Sequence, residues 1–180
     1  GGLGGDDSFV KSKAKLIAQR RFFNDEITLR ATLAGGAVSF SGAGSRATDR
    51  WLFDEDIMRG FAADGIGPRD YDPLTNTNDA LGGNYFATAK FEALFPLGLP
   101  EEYGLTGGVF YDIGNVWGLD KVSPALGVTH YESGSFRHVA GVSIFWETPI
   151  GPMRLNWSKA LEKEVQDIDQ NFEFTISTEF

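Results

Sequence analysis

Seven segments of this chain alternate apolar and polar residues position by position. That pattern belongs to extended strands, whose successive side chains face opposite ways. Over 8–22, Val10, Ala14, Leu16, Ala18 and Phe22 are apolar, against Lys11, Lys13, Lys15, Gln19 and Arg21, with Ile17 the exception. Over 27–40, Ile27, Leu29, Ala31 and Leu33 oppose Thr28, Arg30 and Thr32, and the phase slips after Gly35-Gly36, where a bulge is expected. Over 84–97, Tyr85, Ala87, Ala89, Phe91, Ala93, Phe95 and Leu97 oppose Asn84, Thr88, Lys90 and Glu92, with Phe86 out of phase. Segments 103–117, 136–147, 153–158 and 172–180 complete the set. In the last, Phe172, Phe174, Ile176 and Phe180 oppose Glu173, Thr175, Ser177 and Glu179.

The connections alternate in length. Short turns fall near 24–26, 98–102 and 148–152, and long loops at 43–82, 118–135 and 160–170. The 43–82 stretch shows no alternation and reads as one loop, of a length that is usually either functional or disordered. Short turns on one rim and long loops on the other are the pattern of an outer-membrane barrel. The aromatics agree. Phe22, Phe95, Tyr103, Trp146 and Phe180 fall at the short-turn end, and Tyr85, Trp117 and Phe172 at the long-loop end, all on the apolar face. Two girdles bounding an apolar band suit a bilayer. A soluble barrel would turn that face inward and give its aromatics no reason to collect at the rims. The expected fold is all-β, a transmembrane antiparallel β-barrel. Lipid satisfies no open strand edge, so such barrels close. Further strands are therefore expected N-terminal to Gly1.

The rest of the inventory narrows the function classes. Sixteen Lys and Arg against 25 Asp and Glu give a net charge of −9, which argues against a nucleic-acid partner. With no Cys there is no disulfide, thiolate metal site or Cys nucleophile. His130 and His138 are the only histidines, and their spacing fits neither a metal site nor a triad. Asp54-Glu55-Asp56 reads as solvated loop charge. No enzyme, cofactor or metal is expected.

A constellation in and after the long loop says more. Met58-Arg59-Gly60-Phe61 precedes Ile66-Gly67-Pro68-Arg69; Gly82-Gly83-Asn84 opens the next strand; Phe110-Tyr111-Asp112-Ile113-Gly114 lies on the one after. With Lys90-Phe91-Glu92, Trp146-Glu147-Thr148-Pro149, Gly151-Pro152 and a C-terminal aromatic, this order resembles the BamA-type outer-membrane assembly and secretion family over essentially the whole chain. The resemblance implies that residues 1–180 are the last seven strands of a sixteen-stranded barrel, and that loop 43–82 is its sixth extracellular loop, folded back into the lumen. It also implies that Arg59 is held by Glu92 and Asp112 on the inner wall. Parity agrees, because both acids sit on the polar face of neighbouring strands, about 7–14 Å apart along the ladder. Gly60 suits a tip needing positive φ, and Phe61 a packing contact with the wall.

The resemblance further implies insertion and folding of β-barrel proteins in the bacterial outer membrane, as the core of the BAM machinery. Expected partners are outer-membrane lipids, unfolded outer-membrane clients, and accessory lipoproteins reached through periplasmic POTRA domains, which this segment lacks. The C-terminal strand, with Phe172, Phe174, Ile176, Ser177 and Phe180, would be one side of a weakly paired seam. Family members that kink this strand do so at a Gly near position 177, where this chain has Ser177. Two alternatives stay open: a TamA-like or two-partner secretion transporter of the same family, and a passive porin.

Overall fold

The computed structural model describes residues 8–24, 26–41, 50–51, 57–63, 65–118, 129–131, 135–164 and 166–176. In chain order the strands are β1 (Ser8–Phe22), β2 (Ile27–Ser41), β3 (Arg69–Asp72), β4 (Thr77–Ala80), β5 (Tyr85–Pro96), β6 (Leu105–Trp117), β7 (Thr129–Tyr131), β8 (Arg137–Thr148), β9 (Gly151–Glu162) and β10 (Phe172–Ile176). The seven marked by alternation form one antiparallel sheet in the order β1-β2-β5-β6-β8-β9-β10. Each strand pairs with the next marked strand in sequence, as in a meander. The edges are β1 and β10.

The two faces differ as alternation requires. Leu29, Leu33, Phe91, Val109, Val142 and Trp157 stand exposed on one face. On the other, Asp112, Arg137, Ser143, Asn156 and Glu173 are buried. Burying charge while exposing large apolar side chains would be costly in water, and it is what a barrel wall in lipid needs. At the long-loop rim Trp117 lies 6.0 Å from Tyr85 and 5.9 Å from Phe136, centroid to centroid, and Trp157 lies 5.5 Å from Phe172.

Three local expectations are corrected. First, β2 has no bulge at Gly35-Gly36. Its pairing is continuous from Ser8↔Ser41 to Phe22↔Ile27 on one side and from Thr28↔Leu94 to Ala37↔Tyr85 on the other. The apolar pattern changes face there because the inner face stops being wet. Val38 and Phe86 are buried, and Trp51 meets Phe86 edge-on at 4.6 Å. A Cβ on Gly36 would collide with both rings. Among the described residues, the main sheet has its register shift at His138/Val139, opposite β9. Second, Tyr103 is not the first residue of a strand. It ends a 3-10 turn, Glu101–Tyr103, and Gly104 at φ +61° separates that turn from β6. Third, the loops hold structure of their own. β3 and β4 form a hairpin inside 43–82, and β7 from the second loop pairs with β3, giving a small sheet β4-β3-β7. Strands of three or four residues are too short for alternation to mark.

The apolar core is where loop meets wall. Ile57, Met58, Phe61 and Ile66 of the loop pack with Phe86, Phe110, Val116 and Val139 of the strands. Phe86, out of phase in the sequence, is one of these wall residues.

Candidate functional site

The site is built on two strands. β5 and β6 pair with Lys90 opposite Asp112 and Glu92 opposite Phe110. Glu92 and Asp112 therefore share the inner face, two residues apart along the ladder. The loop lowers Arg59 between them. Arg59 Nε donates to Asp112 Oδ2 at 2.8 Å and Nη2 to Oδ1 at 2.6 Å. Nη1 lies 3.3 Å from Glu92 Oε2. The backbone N–H of Arg59 adds a bond of 2.9 Å to Asp112 Oδ2. Beneath the fork the guanidinium carbon stands 3.9 Å from the centroid of the Phe110 ring. A planar guanidinium can satisfy a paired acceptor and stack on a ring at once, which an ammonium cannot.

The neighbours of Arg59 fix the approach. Met58 is fully buried, its sulfur over Gly114, where an added Cβ would lie 3.1 Å away. Thr88 Oγ1 donates to the carbonyl of Ile57 at 2.5 Å. Gly60 takes φ +94°, and a Cβ there would come within 2.6 Å of Val139. Phe61 is buried and forms an antiparallel bridge with Asp169. Above the tip, Trp51 exchanges backbone bonds of 2.8 and 2.9 Å with Gly83, which packs so close to β6 that a Cβ would lie 2.5 Å from the Trp117 carbonyl oxygen.

The structure thus brings Met58, Arg59, Gly60, Phe61, Glu92 and Asp112 together. Phe172, Phe174 and Ile176 stand exposed on the outer face of β10, opposite Trp157, Leu155 and Met153. Ser177 and Phe180, and the acidic run Asp54-Glu55-Asp56, lie outside the described residues. Sequence reasoning missed several members. Arg154 of β9 reaches Glu92 Oε1 at 3.3 Å, so this carboxylate serves two cations. Arg137 of β8 holds Asp167 through Nε at 2.8 Å and Nη2 at 3.0 Å, and donates through Nη1 to Asn115. Glu173 of β10 accepts the N–H of Gly60 at 2.9 Å. Parity does place Arg154 and Glu173 on the polar face, and that was the available signal. Nothing local marks Asp167, which lies in an irregular charged loop.

The described residues hold no cluster of three or more His, Cys, Asp or Glu that could bind a metal. What the arrangement does is mechanical: a buried fork fastens the long loop to the inner face of the sheet. A model of the Omp85 superfamily domain matches residues 1–180. The chain belongs to the Omp85 superfamily. It is similar to the outer membrane protein assembly factor BamA of Neorickettsia risticii (strain Illinois), at 33% identity over 180 residues, covering 99% of this chain and 23% of that protein. It is also similar to that of Neisseria meningitidis serogroup B, at 28% identity over 171 residues, covering 82% and 21% respectively. The crystal structure of BamA from Haemophilus ducreyi lacking POTRA domains 1-3 superposes with a TM-score of 0.76 at 19% identity, covering 92% of this chain and 34% of that one. This Omp85 chain spans less than a quarter of the length of the two curated relatives. It has the fold of part of an outer-membrane β-barrel, and its place is the bacterial outer membrane.

Proposed function

We propose that this Omp85 chain is the C-terminal part of the barrel of a factor that inserts and folds β-barrel proteins in the bacterial outer membrane. The observation that carries the reading is the fork of Arg59 on Asp112 with Glu92 alongside, which fastens the long loop to the inner wall while β10 lies at the edge of the sheet. A wall whose inner face is occupied by its own loop suits assembly rather than free diffusion. A strand edge can template an incoming strand by backbone pairing. Clients would be unfolded outer-membrane barrels, and no covalent bond is made or broken. Lipids flank the outer face, and accessory lipoproteins would reach the parent through POTRA domains preceding the barrel. Pinning through Met58–Phe61 would keep the loop from wandering as strands exchange.

The test uses the full-length parent in liposomes with a denatured outer-membrane barrel, scored by protease protection. The reading expects faster client folding, lost when a disulfide locks the first barrel strand to the last. Export of a soluble passenger without faster folding would instead assign a secretion transporter. Neither activity, with large conductance, would assign a porin.

A further inference from the structure

The loop tip touches a second element, outside the arginine fork. The Gly60 N–H donates to Oε1 of Glu173 at 2.9 Å. Glu173 is the second residue of β10, is buried, and sits opposite Asn156 of β9. The segment leading into β10 runs beside the loop. Ala62 N–H donates to Ile168 O, Ile168 N–H to Gly65 O and Gln170 N–H to Gly60 O, each at 2.9 Å. With the Phe61–Asp169 bridge, Gly60, Phe61, Ala62 and Gly65 form a short ladder with 168–170.

The same segment is gripped from the wall. Asp167, its side chain fully buried, accepts the paired bonds from Arg137 and also the N–H of Glu164 at 2.8 Å. Among the described residues, β10 pairs with β9 from Phe172↔Trp157 to Ile176↔Met153. Beside that pairing, β10 is fastened at its start from inside by the loop. The tip has little freedom to give. Arg59 and Gly60 are consecutive, and Asp112 Oδ2 also accepts the backbone N–H of Arg59, so loss of the Asp112 contacts loosens the backbone that carries the N–H held by Glu173. The tip lies close against the wall, since a Cβ added at Gly60 would come within 2.6 Å of Val139.

We infer that Glu173 is a positioning residue that joins the pinned loop tip to β10, so that the seating of Arg59 on Asp112 sets where the edge strand begins. The functional meaning rests on the reading of β10 as the strand beside which clients pair. On that reading, release of the loop tip would free the strand's extracellular end, and seating would hold it ready as a template.

Amide hydrogen exchange on the full-length protein in nanodiscs tests the coupling without any client. It therefore separates failure of this inference from failure of the assembly reading. Arg59→Lys should speed exchange in 57–65 and, in the same variant, at Ile168, Gln170 and the β10 amides, by roughly tenfold or more, as expected for loss of a buried bond to a charged group. Glu173→Ala should do the same at Gly60 and along β10 while β5 and β6 keep wild-type protection. Glu173→Gln retains an acceptor oxygen and should restore most of the protection. The inference is overturned if Arg59→Lys loosens 57–65 and leaves 168–176 unchanged, or if Glu173→Ala leaves Gly60 unchanged. Should Arg59→Lys fail to fold, the Glu173 pair decides alone. A Gln variant as loose as the Ala variant would also overturn it.

Discussion

At the scale of single residues, the guanidinium of Arg59 makes every atom count. Its fork uses both oxygens of Asp112, its remaining nitrogen faces Glu92, and its face lies on Phe110. Removing one partner of a buried pair is costly because the other is left charged and unpaired, by about 3–5 kcal/mol. Arg59→Ala should therefore destabilise the seated loop by about that much, seen as faster limited proteolysis within 57–68 in the full-length protein. Combining it with Asp112→Asn should cost less than the sum of the two, since the orphaned carboxylate is then neutral. Additive losses would show that the two side chains act separately. Arg59→Lys keeps the charge and loses the fork, and an intermediate cost of about 2 kcal/mol is expected.

Elements are held together here by close approach as much as by polar bonds. The loop can reach the wall because glycines let it. Gly83 lets the strand entrance lie against β6, where a Cβ would meet backbone rather than a flexible side chain. Gly83→Ala is expected to cost about 1–3 kcal/mol, read as a lower unfolding midpoint with weakened protection at Trp51. Gly98, by contrast, has nothing within 4 Å of an added Cβ, and its φ of +76° is the only obstacle. Gly98→Ala should cost about 1–2 kcal/mol and leave the loop's protection unchanged. Equal loosening of the loop by both substitutions would contradict the close-approach account. Arg137 and Asp167 play the matching part for the loop before β10. Replacing Arg137 with Met should raise protease access to 163–171, and unchanged access would show that the backbone bonds of that segment suffice.

For the whole molecule, polarity is inverted relative to a soluble protein. Charges gather on the inner face with the loop, and large apolar side chains stand outward. The loop packs on the inner face through a buried core of Ile57, Met58, Phe61 and Ile66, and on the proposed reading it should obstruct the lumen of the parent barrel. The full-length parent in planar bilayers is expected to conduct weakly, and Arg59→Ala to raise conductance or the frequency of openings. Conductance already large in the wild type, and indifferent to Arg59, would mean that the loop is no plug. Residues 1–180 alone present two strand edges, β1 and β10, that lipid cannot satisfy. Expressed by themselves, they should fail to give a protease-resistant, bilayer-inserted species.

The sequence by itself determined the seven alternating strands and the outward face. Period two is imposed by the backbone, and the bilayer makes the contrast between faces large. The family resemblance named Arg59, Glu92 and Asp112, and parity agreed by placing both acids on one face of adjacent strands. Tertiary structure decided the rest. Phe86 and Val38 break the alternation because a loop distant in sequence makes their side of the wall dry, which no local window reveals. The hairpin β3-β4 and its partner β7 are stabilised by pairing between two loops, not by their own pattern. Glu173 looked like any inward carboxylate on a strand. Only the fold brings Gly60, more than a hundred positions away in the chain, to its oxygen. A contact of that separation is set by the packing of loop and wall together, so it leaves no periodic trace in either segment.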